Sequence, residues 1–449
     1  MFYILENEEQ LQRLELMGGS GCYLEIVTTN DNFHPKLSGM VAVYIRPLED
    51  SKGYIIPIDH NEGICVPVSR VEKVLDSFSK ICILDKKAGL YFFNLGRNVC
   101  DLNLKYSMVF FKRLDIKVRN TTYNWFYNRY GGSETLNKII PISKIYEKCE
   151  ETFKQVKKVL ELDEPEGFDF YNEKATKLYW MVEQSGIRVD VHNFVERFKP
   201  QNPDFSIKGE TVYSSYNLYN ATSRPTNSFN SVNFLAIPKA LEFRRVFKPQ
   251  NDKFVEMDFD GYHIRLVSKQ VGYSIDVNQK AHKFLAAQYL GPKELTTEEY
   301  VKVKALNFQM IYGTPSEEYS GLEISNRVQD LIKRLWKQYK EMNYIVNPDS
   351  GKQFTSKLAD MYPQKLFNYY IQSLETSRNV SVLYNVQRFL NKGHYKTRII
   401  LITYDSFLVD WDESEGQEVL DGIRKYMEYD SKNAIRFPVG IKVSENLCF

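Results

Sequence analysis

Two aspartates in distant parts of the chain occupy positions from which an acid could bind a metal ion. Asp258 follows an apolar run within FVEMDFDGYHIRLVS (254–268), just before a predicted helix. Asp405 lies in a tight connection between two apolar strand segments. An acid at the end of a strand can hold a metal or a phosphate-bearing ligand at the edge of a sheet. Together the carboxylates could hold two divalent cations about 3.5 to 4 Å apart, which supports in-line phosphoryl or nucleotidyl transfer.

A second group of chemically capable residues lies on the helix predicted for KALNFQMIYG (304–313). Lys304, Phe308 and Tyr312 are spaced four residues apart, so they share one helix face. A cation followed by two aromatic rings could bind a triphosphate at one end and stack a base and sugar at the other. Gly313 begins the Gly-Thr-Pro segment that is expected to end the helix.

Each of these residues also has an ordinary structural explanation. Asp258 could simply cap a helix, and Asp405 could simply form a turn. The aromatic stripe could face the core, with Lys304 extending its ammonium to solvent. The chemical interpretation therefore depends on the three segments meeting in the fold.

The composition is that of a globular protein with no obvious class of partner. The chain has 449 residues, 43% of them apolar, which suits two or three domains with substantial cores. A net charge of +2 means that any nucleic-acid binding must come from local clusters. The six cysteines form no C-x-x-C pair, which argues against a zinc module or a disulfide framework. Without a basic leader or an apolar run of about 20 residues, we expect a soluble, cytoplasmic protein that does not enter a membrane.

The first part of the chain predicts a mixed sheet covered by helices. Strand-like runs alternate there with helical patterns. We expect strands at 22–28, 40–45, 53–58 and 89–94, and helices at 71–78 and 145–162. An acidic stretch with Pro165 and Gly167, at 160–169, marks a predicted domain boundary.

The second part supplies the elements that must position the candidate residues. A helix at 171–185, with Gly186 as its C-cap, precedes an irregular polar stretch at 198–233 that is rich in Asn, Ser and Tyr. The pattern then predicts the Asp258 strand, helices between 277 and 345, a helix at 362–391, strands at 398–403 and 407–411, a helix at 415–429 and a strand at 437–443.

Five or six segments, in order, resemble the polymerase domain of family A DNA polymerases, the group of bacterial DNA polymerase I and many phage replicases. MDFDGYHIRLVS resembles motif A (DYSQIELR), KALNFQMIYG resembles motif B (K-x-x-NFG-x-x-YG) and TYDSFLVDW resembles motif C (VHDEL). NYYIQSLETSRN is similar to the N-x-P-x-QG-x-A segment between motifs B and C. NATSRPTNSFNSVNFLAIP and LEFRRVFKP are similar to the two segments before motif A, so the resemblance covers 170–449.

The resemblance implies a site residue by residue. Asp258 and Asp405 would hold two Mg²⁺ ions, which Mn²⁺ could replace, and Phe259 would lend its backbone carbonyl. Lys304 would contact the nucleotide phosphates and could protonate the leaving pyrophosphate. Phe308 would pack on the incoming sugar, and Tyr312 would cover the position of the templating base. The residues that would contact DNA or support those contacts are Arg224, Asn233, Arg244, Arg265, Asn368 and Gln372.

Several positions depart from the family pattern. His263 stands where the family has a glutamate that packs against the sugar 2′ position, so the resemblance implies altered sugar discrimination. Fewer than 40 residues separate Gly186 from Arg224, where the family has a long helical thumb. We therefore predict a vestigial or missing thumb and distributive synthesis, which a processivity or replisome protein could complement.

The N-terminal part resembles the ribonuclease H-like 3′-to-5′ exonuclease domain that precedes this polymerase domain. CYLEIVTT, GMVAVYI and GYIIPI are similar to its first strands, FFNLGRN to its H-N-x-x-x-D segment and YEKCEE to its Y-x-x-x-D segment. A working exonuclease holds two metals with four carboxylates. Here the corresponding positions are Glu25, Val27, Asn98 and Glu150, which cannot hold two metals well. We expect an inactive domain, although a shifted alignment could supply Asp101 as one ligand.

We therefore predict an α/β and α+β multidomain protein, with a ribonuclease H-like exonuclease-type domain at 1–160 and a family A polymerase domain at 161–449. The palm is expected at 187–276 and 365–449, and the fingers at about 277–364. The predicted activity is template-directed addition of dNTPs to a primer by a monomer that binds primer-template DNA, in the host cytoplasm if the protein is phage-encoded. The alternatives are a gap-filling, translesion or RNA-templated polymerase, a non-catalytic DNA-binding derivative, and a nuclease.

Overall fold

Strands and helices alternate along the described chain, which comprises residues 4–96, 98–198, 207–227, 231–314, 316–429 and 436–449 of a computed structural model. The strands are β1 Gly21–Thr28, β2 Met40–Pro47, β3 Tyr54–Pro57, β4 Lys80–Ile83, β5 Val99–Asp101, β6 Ile187–Val189, β7 Ile207–Lys208, β8 Thr211–Val212, β9 Tyr216–Asn217, β10 Thr226–Asn227, β11 Phe247–Lys248, β12 Lys253–Phe259, β13 Tyr344–Val346, β14 Gln353–Thr355, β15 Arg398–Thr403, β16 Ser406–Trp411 and β17 Val439–Ser444. The helices are α1 Glu8–Leu16, α2 Val68–Asp76, α3 Lys86–Gly89, α4 Leu102–Phe110, α5 Thr121–Tyr130, α6 Leu136–Ile139, α7 Ile142–Leu160, α8 Thr176–Glu183, α9 Val191–Phe198, α10 Leu241–Arg244, α11 Tyr262–Gln270, α12 Ala281–Leu290, α13 Thr297–Ile311, α14 Glu323–Met342, α15 Pro363–Lys392 and α16 Gln417–Glu428.

These elements form two compact units, each assembled from more than one stretch of chain. The first comprises Met1–Gly186, Val191–Tyr219 and Asn227–Asn233, and the second comprises Ile187–Asp190, Asn220–Thr226 and Phe234–Phe449. The division into an exonuclease-type domain, a palm, fingers and a vestigial thumb stays a prediction.

The first unit contains the predicted mixed sheet, in the order β3-β2-β1-β4-β5. β2 pairs antiparallel with both β1 and β3, whereas β4 and β5 run parallel to β1. The helix α2 packs on this sheet through Val71, Val74 and Leu75, which share one face at helical spacing. Burial of this apolar helix face against the strands explains why alternating strand and helix segments in the sequence fold into a sheet covered by helices.

The strand predicted at 89–94 is wrong. Asp85 caps α3 by accepting a hydrogen bond from the Ala88 N–H at 2.9 Å, and the chain continues in turns rather than in an extended conformation. The N–H groups of Phe92 and Phe93 both bond to the Gly89 carbonyl, at 3.0 and 3.1 Å. These local hydrogen bonds satisfy the backbone without a neighbouring strand, so the β propensity of the aromatic run does not decide its structure.

The second unit is built on a four-stranded antiparallel sheet in the order β15-β16-β12-β17. β12 is an inner strand, and its residues Phe254, Val255 and Met257 are completely buried. The predicted hairpin is present, because β15 and β16 pair across the turn that contains Asp405. The Asp258 strand and the Asp405 turn therefore belong to one sheet.

The helices predicted for the second half are also present. α12, α13 and α14 fill the predicted helical region, and α15 and α16 occupy the two later segments. α13 begins at a capping box in which the Glu299 N–H donates to Thr296 Oγ1 at 3.2 Å and the Thr296 N–H donates to Glu299 Oε2 at 2.9 Å. Among the described residues, no helix is long and apolar enough to span a bilayer.

The polar stretch predicted at 198–233 is organised by its own side chains, as far as it is described. Asn220 closes a turn by accepting a hydrogen bond from the Thr222 N–H at 3.2 Å and donating to the Arg224 carbonyl at 2.6 Å. Residues 199–206 and 228–230 lie outside the described residues. Just before this stretch, α8 ends at a Gln184 cap, so the predicted cap at Gly186 lies two residues too far along the chain.

Candidate active site

The turn between β15 and β16 brings Asp405 beside the end of β12. Asp258 and Ser406 are directly opposed across the β12–β16 ladder, and Asp405 immediately precedes Ser406. The Phe259 N–H donates to the Asp405 carbonyl oxygen at 3.0 Å. Tyr404 adopts a φ of 59°, a left-handed conformation that lets the chain reverse within two residues. The backbone thus fixes the two predicted acids at one end of the sheet.

The two carboxylates are held where a negative charge is unfavourable. Burial and repulsion by Asp405 and Glu256 raise the pKa of Asp258 from its ordinary value of 3.8 to about 7. Desolvation also raises the pKa of Asp405. The residue as a whole is exposed, but its carboxyl group is surrounded by protein atoms. Lys442 and Lys304 offset the effect on Asp258 only in part.

This set of donors suits a hard divalent cation. A nearby cation favours the charged form of a carboxylate. A bound metal therefore stabilises two carboxylates with raised pKa values more than it would stabilise carboxylates already paired with a lysine or arginine. In the described part of the chain, no three or more His, Cys, Asp or Glu side chains group together to hold a metal. Mg²⁺ is usually bound by one or two carboxylates with water and substrate phosphates. The residues present therefore fit magnesium if a phosphate-bearing ligand completes the site.

α13 carries Lys304, Phe308 and Tyr312 on one face. The rings of Phe308 and Tyr312 stack, with centroids 6.3 Å apart and an interplanar angle of 16°. The Lys304 ammonium lies 6.0 Å from the centroid of the Phe308 ring and is close enough to Asp258 to lower the pKa of that residue. Lys304 is exposed and the two rings are half-buried. The stripe therefore borders an open surface beside the acids instead of lying within the core.

His263 connects Tyr312 to a buried carboxylate. Its Nδ1 hydrogen-bonds with the Tyr312 hydroxyl, and its Nε2 lies 3.1 Å from Glu375 Oε2. Arg224 holds the same carboxylate, because its Nη2 donates to Oε1 at 3.0 Å and its Nε lies 2.8 Å from Oε2. The Arg224 guanidinium also stacks over the Tyr404 ring, 3.7 Å from the centroid. Three residues predicted to bind nucleotide or DNA thus meet in one network.

Glu375 and Asn379 belong to this site, although the sequence reasoning did not identify them. They lie on α15 with Asn368 and Gln372, and the spacing of all four places them on one helix face. Asn379 donates to the Tyr404 carbonyl oxygen at 2.6 Å, which helps to hold the turn that carries Asp405. The signal was present in NYYIQSLETSRN, where Glu375 follows Gln372 by three residues and Asn379 follows it by seven.

The other residues predicted to contact DNA have different surroundings. Arg265 is buried, and its Nη2 donates to Asp260 Oδ2 at 3.0 Å, so its guanidinium joins protein segments instead of facing an open surface. Arg244 is half-buried and donates to two backbone carbonyl oxygens at 3.2 Å each. Asn233 is exposed. Their contacts with DNA stay predictions.

A lysine lies among the acids of the first unit. The Lys148 ammonium lies 3.0 Å from Glu25 Oε1 and 3.3 Å from Asp31 Oδ2. All three residues line a cavity of about 980 Å³. Burial alone would lower the pKa of Lys148, but Asp31 and Glu25 raise it well above its ordinary value, so the amine is charged. Glu150, a second predicted exonuclease position, is instead bound by Arg46 Nη1 at 2.8 Å from each carboxylate oxygen.

The remaining exonuclease positions supply no further carboxylate to this cavity. Val27 is buried in β1. Asn98 precedes β5 and donates to two backbone carbonyl oxygens at 3.3 Å each. The parallel register of β1, β4 and β5 puts it roughly 13 Å back along the sheet from Glu25. Asp101 lies nearly level with Glu25, but its oxygens accept hydrogen bonds from two backbone N–H groups at 2.9 and 2.8 Å and from the Tyr219 hydroxyl at 3.0 Å.

Comparison with known proteins identifies proteins that share this fold and part of its sequence. A solved chain described as the POL domain of Pol1 from M. smegmatis, in complex with DNA primer-template and dNTP, matches with a TM-score of 0.70 and 14% identity. The match covers 99% of each chain. The DNA polymerase I of Aquifex aeolicus (strain VF5) is 26% identical over an alignment of 218 residues, and the match covers 42% of this chain and 38% of that relative. No family model matches the chain.

Proposed function

We propose that this chain, which has the fold of a family A DNA polymerase domain, is a template-directed DNA polymerase that adds dNTPs to the 3′-hydroxyl of a primer. The observation that carries the proposal is the position of Asp258 and Asp405 at one end of the second unit's sheet, beside Lys304 of α13. Nucleotidyl transfer needs metal-binding acids next to a cation that can meet the phosphates of the incoming nucleotide.

Asp258 and Asp405 would hold two Mg²⁺ ions, with the Phe259 carbonyl as an additional ligand, and Mn²⁺ could replace them. When bound, the ions make the primer hydroxyl a better nucleophile and offset charge on the phosphates. Asp258 has a pKa of about 7, so it is partly protonated at neutral pH and must lose its proton to become a metal ligand. Metal loading should therefore release a proton from Asp258 near neutral pH.

The stripe on α13 would bind the nucleotide along its length. The exposed ammonium of Lys304 can approach the triphosphate, and it would offset the charge that develops on the pyrophosphate as it leaves. The stacked rings of Phe308 and Tyr312 continue the same helix face and offer flat surfaces to a sugar and a base. Binding at three points along one rigid helix would orient the α-phosphate toward the primer end.

His263 would lie at the sugar side of the incoming nucleotide, because it stands where family A polymerases have a glutamate that packs against the sugar 2′ position; it also bonds to Tyr312 of the stripe. We expect its ring to change the discrimination between deoxyribonucleotides and ribonucleotides from that of a site with a glutamate. Single-nucleotide insertion with matched dNTP and rNTP tests this expectation. A strong preference for the dNTP that stays the same in His263→Glu would contradict it.

We also propose that the first unit does not remove mismatched primer ends. The support is Lys148, whose ammonium lies between Glu25 and Asp31, so the protein itself supplies the positive charge that these acids would otherwise take from a metal. A labelled primer incubated with Mg²⁺ and without dNTPs should remain intact. Magnesium-dependent degradation that Glu25→Ala abolishes would contradict this part of the proposal.

The short connection that precedes Arg224 supports distributive synthesis, since little chain is available there for a helical clamp on the duplex. Extension in the presence of excess unlabelled primer-template, which traps dissociated protein, should stop after a few nucleotides. Long products under these conditions, without any added protein, would show that another part of the chain holds the duplex.

Primer extension with Mg²⁺ tests the central proposal. Wild-type protein should extend a primer according to the template, whereas Asp258→Asn and Asp405→Asn should each lose extension. Asp421→Asn is the matched control, because Asp421 is an exposed acid on α16 outside the proposed site. Template-independent addition by the wild type, or full activity in both active-site variants, would refute the proposed function.

A further inference from the structure

Glu375 is a charged residue enclosed by protein. Its side chain is 1% exposed, and an isolated carboxylate at such a position is strongly disfavoured. Burial alone would raise the pKa of Glu375, but His263 and Arg224 lower it below its ordinary value. The group is therefore an anion at neutral pH, and its two partners determine where that anion lies.

The histidine is held at both ring nitrogens. Its Nε2 lies 3.1 Å from Glu375 Oε2, and its Nδ1 bonds with the Tyr312 hydroxyl. An anion beside Nε2 favours the tautomer with the proton on that nitrogen, which leaves Nδ1 as an acceptor. Burial and Glu375 raise the pKa of Tyr312 to about 12, so its hydroxyl is protonated and donates to Nδ1. The negative charge of Glu375 thus determines the direction of a hydrogen bond that it does not itself make.

Tyr312 needs such a constraint because of its position on α13. It is the C-cap residue of that helix and is followed by Gly313 at a φ of 75°. Because α13 ends at Tyr312, no further turn of that helix follows its ring, as one follows the ring of Phe308. The bond to His263 and the stack on Phe308 supply the missing constraint.

We propose that Glu375 is a positioning residue that fixes His263 and, through it, Tyr312, and that it thereby sets the discrimination between dNTPs and rNTPs. This inference rests on the proposed polymerase function. Glu375 would touch neither substrate nor metal. Its effect passes through the imidazole, so it should disappear when the imidazole is absent.

A double-mutant cycle with Glu375→Gln and His263→Ala tests the proposal. Glu375→Gln keeps the shape of the side chain and one acceptor oxygen for Arg224 Nη2, but it removes the charge beside His263. In single-nucleotide insertion, kcat and KM are measured separately for a dNTP and its rNTP. We expect Glu375→Gln to lower the dNTP-to-rNTP ratio of kcat/KM about tenfold, because the buried charge 3.1 Å from His263 Nε2 is lost. The double variant should have the ratio of His263→Ala alone.

Glu428→Gln is the matched control for loss of a buried carboxylate in the same unit. Glu428 is 4% exposed and is bound by Arg424 and Arg436, outside the proposed site. This control should leave the nucleotide ratio unchanged. If Glu375→Gln does not fold, Glu375→Asp replaces it, because it keeps the charge for Arg224 while withdrawing the oxygen from His263.

The outcomes separate the inference from the proposed function. If the wild-type protein does not extend a primer, the polymerase proposal fails. If it extends, but the effects of the two substitutions on the ratio multiply, Glu375 acts independently of His263 and the positioning role is refuted. An unchanged ratio in folded Glu375→Gln and Glu375→Asp refutes it as well.

Discussion

Replacing Asp258 by asparagine should stabilise the metal-free protein while abolishing primer extension. Burial and the nearby Asp405 raise the pKa of Asp258 from 3.8 to about 7. The charged form of Asp258 therefore lowers the free energy of unfolding. Asparagine has nearly the same shape and no charge. The substitution therefore removes the destabilising charge and the proposed metal ligand together.

The size of the gain follows from the two pKa values. A tenfold change in a protonation equilibrium is worth about 1.4 kcal/mol, so a rise from 3.8 to about 7 corresponds to roughly 4 kcal/mol above pH 7. Asp258 is only half-buried, and solvent screens its repulsion, so about half of this, about 2 kcal/mol, is the better expectation. That gain raises the Tm by about 4 to 8 °C for a cooperative unit of roughly 150 to 250 residues.

The sign of the pH dependence is fixed by the raised pKa. The folded protein binds the proton more tightly than the unfolded chain, so wild-type stability falls as pH rises from 3.8 to about 7 and is then constant. The advantage of Asp258→Asn should therefore be full at pH 8, about 2 kcal/mol, and reduced to about 1 kcal/mol at pH 4.5.

Thermal unfolding at pH 8 and pH 4.5, with and without EDTA or added Mg²⁺, measures these differences. Magnesium should raise the Tm of the wild type at pH 8 and leave Asp258→Asn unchanged, which narrows the gap between them. The control Asp421→Asn should follow the wild type. A variant that is less stable than the wild type at pH 8, or a gain of equal size at both pH values, would refute the reasoning.

Three further predictions concern other residues. Lys352 is fully buried, and burial lowers its pKa from 10.5 to about 7. The Tm of the wild type should therefore rise relative to that of Lys352→Met as pH increases from 7 to 10. A difference in Tm that stays constant over this pH range would contradict the prediction. Gly313→Ala should cost at least about 1 to 2 kcal/mol in thermal unfolding, because its φ is positive and an added Cβ would also overlap Ile332 Cδ1. Gly321→Ala, with open space around it, should be neutral. Lys148→Met should lower the Tm of the first unit in EDTA, because Glu25 and Asp31 lose the ammonium between them. Added Mg²⁺ should restore part of the loss in Tm. A Tm that does not respond to Mg²⁺ would show that the lysine does not take the place of a metal ion.

The sequence predicted the elements of the second unit's four-stranded sheet well, because their patterns are long and agree with one another. The strand that ends at Asp258 and the hairpin around Asp405 each combine an apolar run with an abrupt polar stop, and both are present. The prediction of a strand at 89–94 was wrong, because aromatic composition does not show whether another strand is available to pair with that segment. There the capped helix α3 and the turn after it satisfy the backbone locally.

The partners of the site residues were harder to predict than the residues themselves. Arg224 was predicted to contact DNA, and His263 and Tyr312 were predicted to bind the nucleotide. The contacts of Arg224 and His263 with Glu375, and the bond from His263 to Tyr312, depend on distant segments meeting. A buried acid on an otherwise mixed helix has no local signature, since its burial is decided by the segments that pack against it. Lys148 illustrates the same limit, because its position between Glu25 and Asp31 results from the packing of α7 on β1.

The pairing of β12 on both of its edges also constrains how the length of this chain can vary. Asp258 lies opposite Ser406 on one side and Gly440 on the other, so an inserted or deleted residue between Phe254 and Asp258 would break the register of both ladders. Because side chains alternate between the faces of a strand, such a change would also turn the carboxylate to the opposite face. The β13–β14 hairpin pairs only with itself among the described strands, so a change of length there would disturb one ladder instead of two. Variation in length should therefore be excluded from the segment between Phe254 and Asp258.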